Sequence, residues 1–93
     1  MGHAVKSQVQ GEQWFAYIVR CRDGSLYTGI TKDLIRRCQQ HNDGMASRYT
    51  RSRLPVRLVY HEILASRSLA LKREAAIKAM TRQQKRSMIR LAS

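Results

Sequence analysis

The chain's first sustained apolar run, Trp14-Phe15-Ala16-Tyr17-Ile18-Val19, is aromatic and β-branched, which suits a pleated, half-buried strand. The polar segment Arg22-Asp23-Gly24-Ser25 follows. Asp-Gly between two apolar runs predicts a hairpin, because a type I′ turn needs positive φ. Leu26-Tyr27-Thr28-Gly29-Ile30 is then the return strand, and Gly29 inside it marks a bulge or a close backbone approach. Thr31 is the expected cap of a helix running to about Asn42, with Leu34, Ile35 and Cys38 toward the core and Asn42-Asp43-Gly44 as its stop.

A basic loop, Arg48-Tyr49-Thr50-Arg51-Ser52-Arg53, ends at Leu54-Pro55. Val56 to Ile63 reads as a third strand. Ser66 or Ser68 opens a second helix, roughly Leu69 to Met80. Thr81-Arg82-Gln83-Gln84 fits a capping box for a third helix carrying Met88, Ile89 and Leu91. Residues 1–13 are polar, lack periodicity and contain Gly2 and Gly11, so a flexible N-terminal arm is expected before one domain over residues 14–93. The order β-β-α-β-α-α defines an α+β domain with helices packed on a small, mainly antiparallel sheet.

Composition narrows the function. Within 93 residues, 18 Lys+Arg stand against 6 Asp+Glu, a formal net charge of +12. A hydrophobic content of 43% is well above that of disordered polycations. No stretch approaches the roughly 18 apolar residues of a membrane span, and no secretory hydrophobic region opens the chain. Cys21 and Cys38 have neither paired spacing nor a nearby histidine cluster, so both are read as free buried thiols of a cytoplasmic protein. Such a charge excess calls for a polyanionic partner; nucleic acid is the commonest for a small basic domain, with anionic membrane and acidic protein surfaces as alternatives.

Three groups of side chains could carry chemistry. Tyr17 and Tyr27 lie in adjacent strands and can emerge at one place, although strand tyrosines also serve simply as packers. Arg37 and His41 are i,i+4 on one helix face. An arginine offers a phosphate-matching fork and a histidine a titratable base, against the alternative of a solvated basic face. Glu74 is the sole acid from Ile63 to Ser93 and borders the apolar stripe between Leu71 and Ile77. It can pair with Lys78 at i+4, or hold a divalent cation whose shell is completed by phosphate oxygens and water. No zinc spacing, P-loop, dinucleotide glycine motif or Gly-x-Ser-x-Gly elbow is present.

In order and spacing, Ala16-Tyr17-Ile18, Tyr27-Thr28-Gly29, Arg37 and Glu74 resemble the GIY-YIG nuclease superfamily, most of all its small stand-alone YhbQ-like branch. Supporting stretches include Arg36-Arg37-Cys38-Gln39-Gln40-His41-Asn42, Tyr49-Thr50-Arg51 and Pro55-Val56-Arg57-Leu58-Val59-Tyr60, and the resemblance spans about Trp14 to Ile89. The chain departs from the pattern in having Phe15-Ala16 before Tyr17, Thr28 in the middle of the second motif and Ile30 after its glycine; the late asparagine of many members has no match.

The resemblance implies a three-stranded antiparallel sheet flanked by helices and a divalent-metal-dependent endonuclease or nickase acting on DNA, with a role in DNA repair. It implies that Tyr17 and Tyr27 are the motif tyrosines, one acting as or positioning the general base, that Arg37 contacts the scissile phosphate, and that His41 is the helix histidine of part of the family. Glu74 becomes the ligand of Mg²⁺ or Mn²⁺. Arg48, Arg51, Arg53 and Arg57 would hold the flanking backbone without reading sequence. DNA is favoured over RNA, no membrane is expected, and a monomer is favoured over a weak dimer. The rival reading is a non-catalytic nucleic-acid binding module on the same scaffold.

Overall fold

The computed structural model describes residues 13–93, so the arm expected over residues 1–13 lies, but for Gln13, outside the described residues. Strands β1 (Trp14–Arg20), β2 (Leu26–Thr31) and β3 (Arg57–Leu64) form a three-stranded antiparallel sheet in the order β2-β1-β3. Helices α1 (Leu34–Asn42), α2 (Arg48–Arg51), α3 (Arg67–Lys78) and α4 (Arg82–Ala92) complete the α+β fold. The order matches the sequence reading with one addition: a single helical turn, α2, within the expected basic loop.

The central strand is covered on both faces, which is why its apolar residues run continuously instead of alternating with polar ones. Tyr17 and Val19 pack with Cys21 and Val56 beneath α1, and Leu34 and Cys38 close over them. Ala16 and Ile18 face the other way, against Ile77 of α3 and Met88 and Ile89 of α4. β3 bulges at Val59, where the register slips between Ile18 and Val19, so the neighbours Val59 and Tyr60 serve the same layer while Leu58 packs in the other. Thr28 shares the Ile18 face; its buried hydroxyl is the one buried side-chain polar atom without a partner among the described residues.

Several local expectations need correction. The β1–β2 turn is not type I′: Gly24 has φ 86°, but no other residue type has positive φ among the described residues. Gly24 N–H donates to Cys21 C=O and Cys21 N–H donates to Ser25 C=O, each at 2.9 Å. That is a type I turn closed by a left-handed glycine, and the Asp23 carboxylate steadies it by accepting from Ser25 N–H and Ser25 O–H.

The cap of α1 is Asp33, whose carboxylate accepts Arg36 N–H at 3.0 Å. Thr31 instead ends β2 and accepts Asp33 N–H. Ile35, expected toward the core, is 76% exposed, because Leu34 and Cys38 occupy the inner face of α1. Leu91 at 85% exposure likewise stands off the α4 face that carries Met88 and Ile89. The remaining caps fall on expected residues: Ser66 caps α3, and Thr81 with Gln84 forms the capping box of α4. Cys21 is buried and Cys38 only half-buried; both are free thiols. No helix among the described residues is long and apolar enough to cross a membrane.

Candidate active site

The β1–β2 register sets Tyr17 opposite Gly29 and Val19 opposite Tyr27. Directly paired residues share a face, so both tyrosines point toward α1. Gly29 is the close approach expected from the sequence: a Cβ there would lie 2.7 Å from Tyr17 Oη and 2.9 Å from Cζ. The phenol ring of Tyr17 therefore crosses directly over the β2 backbone.

His41, in the last turn of α1 and 1% exposed, meets that phenol, with Tyr17 Oη 2.9 Å from His41 Nε2. Its other ring nitrogen, Nδ1, lies 2.8 Å from Thr50 Oγ1 in α2, and Thr50 is fully buried. The Thr50 hydroxyl has one proton, which it donates to Ser47 C=O at 3.4 Å. Assigning tautomers from this network, Nδ1–H donates to Thr50 and the Nε2 lone pair accepts from Tyr17 O–H. The one-turn helix α2 thus orients the histidine, and Ser47 caps it by accepting Thr50 N–H.

An aromatic stack continues outward. The half-buried Tyr27 packs edge-on to His41 at 5.3 Å, Tyr49 stacks on Tyr27 at 6.1 Å, and the Arg53 guanidinium lies over Tyr49 at 3.9 Å. Arg37, one turn before His41, is held by Gln40 Oε1 at 3.0 Å and by Ile30 C=O at 3.4 Å. Its charge acts on both members of the pair. Burial pushes the Tyr17 phenol up to about 12, and the nearby Arg37 guanidinium only partly offsets it. Burial, seconded by Arg37, holds His41 below its usual range. At neutral pH the pair is therefore phenol and neutral imidazole, in accord with the tautomer.

The structure brings together Tyr17, Tyr27, Arg37 and His41. Glu74 stands apart from their hydrogen bonds: it lies on α3, its side chain 19% exposed, and pairs with Lys78 at 3.3 Å. Arg48 and Arg51 are exposed on α2, near the tyrosine face. Arg53 is already engaged, with Asp23 at 3.2 Å and Tyr49 C=O at 2.7 Å. Arg57 pairs across from Arg20, and so lies on the face opposite Tyr17.

Sequence reasoning missed Thr50 and Glu62. Glu62 in β3 accepts from Arg73 at 2.6 and 3.0 Å and from the Tyr60 hydroxyl. Burial raises its pKa, but Arg73 and Tyr60 outweigh that and leave it lowered. Tyr49-Thr50-Arg51 stood out as a stretch, but no pattern in it announces a contact with His41.

No group of three or more His, Cys, Asp or Glu that could hold a metal ion occurs among the described residues. The donor set fits a hard cation that takes one carboxylate and completes its shell with phosphate and water, as Mg²⁺ does. Glu74 can supply that carboxylate, since its partner Lys78 is an exposed side chain.

A phenol–imidazole pair beside an arginine, with the Glu74 carboxylate on a separate helix, supplies the elements of phosphodiester chemistry. The model of the GIY-YIG catalytic domain matches residues 13–87, and the chain belongs to the GIY-YIG family, a family of nucleases that generally use divalent metals. Within it, similarity is to the UPF0213 proteins: one from Staphylococcus epidermidis is 54% identical over 78 residues, covering 84% of this chain and 95% of its own. The solution structure of a UPF0213 protein from Bacillus halodurans superposes with a TM-score of 0.56 at 38% identity, covering 85% of this chain and 84% of that one. A second solution structure, of a protein from E. faecalis, gives 0.57 at 35% identity and 86% of each chain.

Proposed function

We propose that the chain is a divalent-metal-dependent endonuclease or nickase that hydrolyses phosphodiester bonds in DNA. The observation that carries this reading is the Tyr17–His41–Thr50 hydrogen-bond chain beside Arg37. A phenol near 12 is a poor base alone at neutral pH. With the Nε2 lone pair of neutral His41 in contact, it need not ionise first. As water attacks phosphorus, Tyr17 Oη takes the water proton and passes its own to His41 Nε2. The new P–O bond forms as the ester bond to the leaving oxygen breaks. Arg37 offers its guanidinium to the phosphoryl oxygens as negative charge builds there. Mg²⁺ or Mn²⁺ held by Glu74 would supply further neutralisation of that charge when bound. Arg48 and Arg51 grip flanking phosphates, while Arg53 holds Tyr49 and the hairpin turn in place.

One observation favours the alternative of a non-catalytic nucleic-acid binding module: Tyr17 and His41 are each 1% exposed, as core hydrogen-bonding partners would be. Glu74→Ala separates the readings. In an enzyme it abolishes metal-dependent nicking of supercoiled plasmid while leaving DNA affinity intact. Undiminished nicking by the repurified variant would mean a contaminating nuclease and defeat the proposal. Wild-type protein that binds DNA but never nicks it with Mg²⁺ or Mn²⁺ would establish the binding module.

A further inference from the structure

A second basic surface lies on the side of the sheet away from Tyr17. Side chains alternate along β1, so Arg20 shares the Ile18 face and points toward α4, whereas Tyr17 and Val19 point toward α1. On α4, Arg82, Arg86 and Arg90 are spaced i,i+4 and form one ridge. Arg20, Arg86 and Arg90 line a hollow of about 330 Å³ with an apolar floor of Leu26, Val59 and Ile89. Arg82 ties the start of the ridge to the hairpin turn by donating to Gly24 C=O at 3.0 Å. Arg57, directly across from Arg20, extends the basic track onto β3.

No side-chain carboxylate of the described residues neutralises this surface. Among the described residues the acids are Asp23, Asp33, Asp43, Glu62 and Glu74, and none of their carboxylates lines the hollow. Like charges at i,i+4 repel, and these guanidiniums are not spread over separate faces but gathered along one. An arrangement of this kind is stabilised by an anion. The track runs along a helix and across two strands instead of converging on one point, which suits a chain of phosphates better than a single phosphate group. The apolar floor suits sugar rings.

We propose that the α4 ridge, with Arg20, is a second nucleic-acid backbone site, separated by the sheet from the Tyr17–Arg37 face and holding a different stretch of phosphates. The proposal shares with the proposed function only the premise that nucleic acid binds, and does not depend on cleavage.

The test is the salt dependence of DNA affinity, read by anisotropy of a labelled duplex for the full chain and for Arg86→Ala/Arg90→Ala. Both residues are exposed, and an unchanged thermal midpoint shows that the variant folds. Each lost phosphate contact reduces the slope of log K against log salt by about 0.9. The double variant should therefore lose roughly 1.8 from the slope, with a tenfold or larger fall in affinity at low salt. Single-turnover cleavage at saturating DNA should be unchanged, so loss of cleavage in Glu74→Ala and loss of slope in this variant can succeed or fail separately. An unaltered slope overturns the second site. So does a wild-type thermal shift with inorganic phosphate or a mononucleotide that equals the shift with duplex and vanishes in the variant, since the ligand would then be a small phosphate.

Discussion

Gly29→Ala tests the geometry on which the candidate site depends. The added Cβ would lie 2.7 Å from Tyr17 Oη, 2.9 Å from Cζ and 3.1 Å from Cε2. Non-bonded carbons rest about 3.5–4.0 Å apart, so the ring would have to move by roughly 0.5–1 Å. It has little freedom to do so, being 1% exposed and held at 2.9 Å by His41. Overpacking of this kind costs about 1–3 kcal/mol.

Part of that is offset, because φ at Gly29 is not positive and alanine there restricts the unfolded chain, a gain of about 0.4–1 kcal/mol. The net expectation is a loss of about 0.5–2 kcal/mol, with the melting temperature falling by roughly 4–8 °C for each kcal/mol. Urea and thermal unfolding measure the loss, and spectrophotometric titration of the tyrosines shows whether Tyr17 still ionises near 12. If the midpoint is unchanged and that late tyrosine persists, the ring does not lie over Gly29 and the account of the site is wrong.

The other expectations concern charge. His41 is depressed below its ordinary 6.5, so the unfolded chain binds the proton more readily; its stabilisation is present above about pH 6.5 and lost as pH falls through the folded pKa. Urea midpoints should drop on acidification, and His41→Gln should flatten that drop. Tyr17 has the opposite sign: its contribution is full below pH 10 and is lost as pH rises toward about 12, which Tyr17→Phe should remove. Glu62→Gln should lower stability by about 1 kcal/mol in urea unfolding while leaving DNA cleavage and affinity unaltered, because its carboxylate serves Arg73 and Tyr60. Finally, the net charge of +12 predicts a higher melting temperature at about 0.5 M NaCl than at about 50 mM; a fall would mean that ion pairs outweigh repulsion.

The strands and three longer helices were legible because each has a local signature: the apolar run of β1, the glycine of the turn, and the caps at Ser66 and Thr81. Helix α2 was not. Arg48-Tyr49-Thr50-Arg51 has no apolar period, and its single turn exists because Ser47 caps it and Thr50 is buried against His41. The α1 cap was expected at Thr31, but strand pairing of Thr31 with Phe15 draws that residue into β2 and leaves Asp33 to cap the helix. Within the site, the i,i+4 spacing of Arg37 and His41 was readable, as was the choice between a bulge and a close approach at Gly29, which the structure resolves as a close approach. What filled that approach was not readable, since the Tyr17–His41 contact joins residues 24 apart. Glu62 escaped notice because it precedes the stretch in which Glu74 is the sole acid, and its partner Arg73 is recruited from another element.

The scarce acids now divide by what the fold requires of them. Asp23 steadies the hairpin turn and pairs with Arg53. Asp33 caps α1, and Asp43 is the residue at which α1 ends. Glu62 takes two bonds from Arg73 and a third from Tyr60. Glu74 has only Lys78, an i,i+4 pair contributing about 0.3–0.5 kcal/mol, less than the fold obtains from a good cap. It is therefore the ion-paired acid on which folding depends least, although its side chain is turned partly inward on α3. A carboxylate with so small a structural return in the most basic third of the chain is free to serve a bound cation. For the same reason Glu74→Ala should leave a folded protein, so that a loss of cleavage in that variant reports on chemistry, which the equivalent change at Glu62 could not do.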